Sequence, residues 1–76
     1  MLNSNKLKGR IKEYNLSQKA VAGLLELSET SFNQKINNIR PMNLDEAAKL
    51  QEILCIPNNE FGEYFFMPYS CAMQQN

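Results

Sequence analysis

The stretch from Gln18 to Asn37 narrows the choice of folds more than any other part of this chain. It holds two short apolar-periodic runs, each preceded by a serine, Ser17 or Ser28. A serine at such a position accepts a backbone N–H and starts a helix. Two short helices cross steeply only when the residues between and beneath them are apolar and the contact point is small. Val21, Leu25 and Leu27 supply that underside, with Phe32 and Ile36 from the second helix, and Ala22 sits at the closest approach. The outer face of the second helix then carries Glu29, Thr30, Asn33 and Gln34, hydrogen-bonding groups of the kind that reach DNA base edges. Periodicity alone also fits an ordinary helical hairpin whose polar face meets solvent.

The rest of the chain continues the same pattern, giving five short helices joined by tight turns. The first spans about Asn5 to Tyr14, with Leu7, Ile11 and Tyr14 on one face and Asn15 placed as a left-handed stop. Helices over Gln18 to about Leu25 and Glu29 to about Asn37 follow. Asn37-Asn38 and Pro41 end the latter. Asn43 with Glu46 forms a capping-box pattern for a fourth helix. Its stripe is Leu44, Ala47, Leu50 (or Ala48), Ile53 and Leu54, running on to Cys55. Pro57 breaks it, and Asn58 is placed to cap a last short helix carrying Phe61, Tyr64 and Phe65. Residues 1–67 read as one domain and 68–76 as a tail.

With 76 residues there is chain for one small core and no second domain. Two cysteines, Cys55 and Cys71, make no disulfide framework and read as reduced thiols of a cytoplasmic protein. With no histidine in the chain, neither a metal site nor another cofactor is expected. The polar start Asn3-Ser4-Asn5-Lys6 is unlike a signal peptide, and no apolar run approaches a membrane span. No nucleophile stands beside a base and no glycine loop cradles phosphate, so an enzyme with a small-molecule substrate is not expected.

Net charge is zero, yet residues 1–40 hold seven bases and three acids, giving +4, and residues 41–76 carry −4. Such a chain can offer a basic face to phosphate, although clustering of this kind also arises by chance on solvated helix faces.

Leu16-Ser17-Gln18, Val21-Ala22, Leu25, Leu27-Ser28, Phe32 and Asn37, followed by Arg40-Pro41 and Leu44, resemble the helix-turn-helix family of phage repressors, which includes the lambda repressor and Cro proteins. The run Ser31 to Asn37, then Arg40 to Glu46, looks especially like small Cro-type regulators of prophages in Gram-positive bacteria. The likeness spans about residues 6–66 and implies a compact all-α, five-helix, lambda-repressor-like DNA-binding domain. It also implies roles for individual residues. Gln18 would contact phosphate and brace the recognition helix. Glu29, Thr30, Asn33 and Gln34 would contact bases, and Asn37 and Arg40 would contact phosphate. Ser17, beside Gln18, joins the phosphate set. Two positions depart from the family pattern. Glu26 stands where glycine is usual, so either a non-glycine residue takes positive φ or the turn differs. Lys35 stands where a buried aliphatic is common; Ile36 then takes over the packing, leaving Lys35 free to reach phosphate.

The expected function is therefore sequence-specific regulation of transcription on double-stranded operator DNA, in the bacterial cytoplasm and nucleoid. One recognition helix covers few base pairs, so a homodimer on a palindrome is expected. Phe66, Met67 and Tyr69 are its candidate interface, whereas Phe61 and Phe65 close the core. Glu29 either accepts from cytosine N4 or pairs with Lys35 or Arg40. The second reading is a protein-interaction module of the same fold, antirepressor-like and without DNA binding, favoured by the zero net charge and by Glu29.

Overall fold

The computed structural model describes residues 1–66, and every one of its regular elements is helical. They are α1 (Ser4–Glu13), α2 (Gln18–Leu24), α3 (Glu29–Ile36), α4 (Leu44–Ile53) and α5 (Phe61–Phe65), with a 3-10 turn at Asn58–Glu60 leading into α5. Asn3, Ser17, Ser28 and Asn43 each cap a helix by accepting a backbone N–H. At α4 the capping box is complete: Glu46 N–H donates to Asn43 Oδ1 at 2.8 Å and Asn43 N–H to Glu46 Oε1 at 3.1 Å.

The first four helices end with one device. After each, a residue takes the left-handed conformation: Asn15 (φ 58), Glu26 (φ 60), Asn38 (φ 63) and Cys55 (φ 51). The N–H of the next residue then reaches back five residues, from Leu16 to Ile11, Leu27 to Ala22, Ile39 to Gln34 and Ile56 to Gln51. The left-handed residue's own N–H bonds to the carbonyl three residues earlier, completing a Schellman motif. All four following residues are apolar, which directs the chain back toward the core at three of the four ends, Ile39 being exposed. Glycine suits the left-handed position best, yet none of the four is glycine.

The core joins all five helices: Leu7 and Ile11 of α1, Val21 and Ala22 of α2, Phe32 and Ile36 of α3, Ala47 and Leu50 of α4, and Tyr64 and Phe65 of α5. Leu2, Leu25, Leu54 and Ile56 close it from the connecting segments. Between the chain's halves, Lys6 Nζ meets Glu63 Oε1 at 2.6 Å, and both side chains are well exposed.

Five sequence expectations need correcting. Tyr14 follows the last residue of α1 and is exposed, because the helix ends one residue before the spacing would bring it inward. Leu44 is 71 % exposed: the inward stripe of α4 begins at Ala47, and Leu44 lies beyond the edge of the core. Cys55 lies past the end of α4, exposed, as its left-handed terminator. Asn58 does not cap α5; it belongs to the 3-10 turn and its Oδ1 accepts from Gln51 Nε2 at 2.8 Å. Phe65 is buried, but Phe61 is only half-buried, stacked on Phe65 with ring centroids 4.5 Å apart. Met67, Tyr69, Cys71 and the tail 68–76 lie outside the described residues. Among the described residues, no helix is long and apolar enough to cross a membrane.

Candidate nucleic-acid interface

α2 and α3 pack directly on each other. Ala22 is buried at their junction, and its carbonyl accepts from Leu27 N–H at 2.9 Å. That bond and the left-handed Glu26 reverse the chain between Leu25 and Ser28. Val21, Leu25, Phe32 and Ile36 are buried beneath, and Leu27 is half-buried against them. Glu26 thus takes the positive-φ alternative at the position where the repressor-like pattern has glycine.

This packing leaves one face of α3 outward. Glu29, Thr30 and Asn33 are exposed there, while Gln34 and Asn37 are half-buried along its edge. Gln34 fastens the following loop, its carbonyl accepting from Ile39 N–H at 2.8 Å and Arg40 N–H at 3.2 Å. The Arg40 side chain is exposed on that loop, beside the last turn of α3.

A chain of polar side chains crosses the same surface. Lys8 Nζ of α1 donates to Asn37 Oδ1 at 2.6 Å, and Asn37 Nδ2 donates to the Asn33 carbonyl at 2.8 Å. Asn33 Nδ2 donates to Gln18 Oε1 at 3.3 Å. Gln18 therefore braces α3 through Asn33, and its own Nε2 donors make no hydrogen bond among the described residues. Asn33 retains Oδ1 and a second amide proton, an acceptor and a donor side by side. Ser17 accepts the Ala20 N–H at 3.0 Å and keeps its hydroxyl proton for another acceptor.

Lys35 departs from expectation. Its Nζ lies 2.9 and 2.7 Å from the two carboxylate oxygens of Glu46, with the two side chains only 13 % and 14 % exposed. It is not free to reach phosphate, because an aliphatic stem in an inward position brings its ammonium to the start of α4. Partial burial pushes the Glu46 carboxyl up, but the hydrogen bonds from Lys35 and the Asn43 N–H, with the charges of Lys35 and Arg40, outweigh it. Glu46 is held below the ordinary value of 4.5. Glu29 pairs with neither Lys35 nor Arg40; among the described residues the ion pairs are Lys6–Glu63 and Lys35–Glu46.

The basic half is also less available than its charge count suggests. Arg10 closes the end of α4, with Nε 2.9 Å from the Leu54 carbonyl and Nη2 2.8 Å from that of Cys55. With Lys6 and Lys35 paired and Lys8 on Asn37, the basic side chains of residues 1–40 left without a partner among the described residues are Lys12, Lys19 and Arg40. Sequence reasoning also missed Asn38, whose side chain clamps the N-terminal segment. Its Oδ1 accepts from Leu2 N–H at 2.8 Å, and its Nδ2 donates to the Leu2 carbonyl at 2.9 Å and to Ser4 Oγ at 3.3 Å. The only local hint was asparagine's tolerance of the left-handed conformation.

A family model described as "Protein of unknown function (DUF739)" matches residues 2–68. No curated protein and no solved structure matches the chain.

Proposed function

We propose that this chain, which belongs to the DUF739 family, is a lambda-repressor-like, sequence-specific DNA-binding regulator that acts as a homodimer on operator DNA in the bacterial cytoplasm. The observation that carries the proposal is the α2–α3 unit. Its outer face holds uncharged hydrogen-bonding groups at helical spacing, and one of them, Asn33, is oriented by Gln18. α3 is the recognition helix, with Thr30, Asn33 and Gln34 facing bases and Glu29 facing cytosine N4. Ser17, Gln18, Asn37 and Arg40 hold phosphate; Lys35, engaged by Glu46, leaves that set.

The antirepressor-like reading is favoured by a specific observation: Lys6, Arg10 and Lys35 are engaged inside the fold, which thins the basic face. Selection of bound DNA from a random pool at two salt concentrations separates the readings. DNA reading predicts an enriched palindrome and an affinity that falls steeply with salt, by about one power of salt concentration per phosphate neutralised. Asn33→Ala should then relax preference at one operator position by about 1–3 kcal/mol, and Arg40→Ala should lower the salt slope by about one. A pool with no enriched sequence at either salt concentration would leave the interaction module as the reading.

A further inference from the structure

Phosphate meets an electrostatic obstacle at the end of α3. A helix C-terminus carries roughly half a negative charge, which repels an anion. Asn37, one of the residues proposed to hold phosphate, stands at that end. The carbonyls around it are met by neutral donors: that of Asn33 by the Asn37 N–H and Nδ2, that of Lys35 by the Asn38 N–H, and that of Ile36 by Ser4 Oγ. Lys35, the basic residue of the last turn, gives its charge to Glu46. The cation that does reach this end comes from another helix: Lys8 Nζ of α1 lies 2.6 Å from Asn37 Oδ1.

We infer that Lys8 is itself a ligand of the DNA backbone phosphate, held in place by Asn37, so that α1 joins α2 and α3 at the interface. An ammonium has three protons, and the bond to Asn37 uses one of Lys8's. No acid pairs with Lys8 among the described residues, in contrast to Lys6 and Lys35. Asn37 Nδ2 gives one proton to the Asn33 carbonyl and has a second to give. Side by side, the two residues thus offer a full positive charge and several donors, which suits a phosphate oxygen. Both are half-buried and bonded to each other, so the ammonium is positioned in advance and little freedom is lost on contact. Asn37 also ties the pair to Asn33, the residue proposed to read a base. Lys8 therefore restores to the end of α3 the charge that Lys35 withholds. The inference rests on the DNA-reading proposal and assigns to it a third helix.

Binding of the full chain to labelled duplexes, of the selected sequence and of random sequence, is measured over a salt series beside Lys8→Gln, Lys8→Arg and Lys49→Gln. Glutamine keeps a donor for Asn37 and loses the charge, so it would rescue a merely structural Lys8 but not a phosphate ligand. Lys49 is exposed on α4, and its replacement lowers the net charge equally without touching the proposed interface. The melting temperature of each variant separates loss of fold from loss of contact. Lys8→Gln should lower the salt slope by about one and weaken binding several-fold on both duplexes, while the selected bases stay the same. Lys8→Arg should keep the wild-type slope. A slope in Lys8→Gln equal to that of the wild-type chain, or lowered no more than in Lys49→Gln, overturns the inference and leaves DNA reading standing. So does a changed base preference at one operator position, because a phosphate contact carries no sequence information. A wild-type chain that binds neither duplex overturns DNA reading itself, and the inference with it.

Discussion

Helices α3 and α4 open with the same chemistry: a side-chain N-cap, Ser28 or Asn43, followed by an acid in the first turn. In α4 the acid Glu46 is engaged twice, by the capping box and by Lys35 from α3. In α3 the acid Glu29 is exposed and bonds to nothing described. The difference separates polar groups that hold the fold from those left for a ligand. α3 contributes Lys35 inward to the fold and keeps Glu29, Thr30 and Asn33 outward, so its position is fixed from behind while its front stays open.

The largest effect expected from this contrast is on stability. Glu46→Ala removes half of a capping box and leaves the Lys35 ammonium, 13 % exposed, without its partner. A lost cap costs about 1 kcal/mol, and an unpaired, mostly buried charge adds more, so a loss of roughly 2–3 kcal/mol in urea unfolding is expected. For a chain of this size that is a large share of the total. Glu29→Ala should change stability by only about 0.5 kcal/mol, through the helix dipole alone. Equal losses in the two variants would erase the distinction between α3 and α4.

Acid sharpens the same contrast with a smaller effect. Because Glu46 is held below its ordinary value of 4.5 when folded, its contribution is present in full above that value and is lost as pH falls through the folded one. The urea midpoint of the wild-type chain should therefore fall below about pH 4.5 more steeply than that of Glu46→Gln, whose side chain does not ionise. Parallel pH profiles would mean that the Lys35–Glu46 pair does not tie α3 to α4 in solution.

How much of this was legible in the sequence depended on the reach of each interaction. The caps Ser17, Ser28 and Asn43, the stop at Asn15 and the buried positions from Val21 to Ile36 rest on spacing within a turn or two, which the sequence displays directly. The candidate reading face followed from the same spacing, since it is what remains of α3 once Phe32 and Ile36 face inward. Lys8–Asn37, Asn38–Leu2 and Arg10–Leu54 join residues 29, 36 and 44 positions apart, and no local pattern indicates which of several polar groups will meet. Lys35 was misread for the same reason. That the repressor-like pattern has a buried aliphatic at its position was visible, but the partner waiting at the start of the next helix was not, and Lys35 was turned outward to phosphate instead.

The ends of α3 and α4 extend the comparison to the smallest effect. Both terminate in a left-handed residue that is not glycine, Asn38 after α3 and Cys55 after α4. An L-residue in that conformation costs about 1–2 kcal/mol, less for asparagine, which visits it readily. The Cys55 side chain is exposed, and what is engaged there is its backbone carbonyl, which accepts from Arg10 and would survive replacement. Cys55→Gly should therefore raise stability by about 0.5–1 kcal/mol, after allowing for the greater freedom of glycine in the unfolded chain. Asn38→Gly relieves less strain and removes three side-chain hydrogen bonds to Leu2 and Ser4, so it should lower stability by about 1 kcal/mol. Opposite signs at two ends built on the same backbone motif would show that the left-handed residue after α3 is kept for its side chain, as a clamp that ties the N-terminal segment to the helix. Matching signs would mean that backbone strain alone governs both ends, and the clamp at Asn38 would then contribute nothing to the hold on α3.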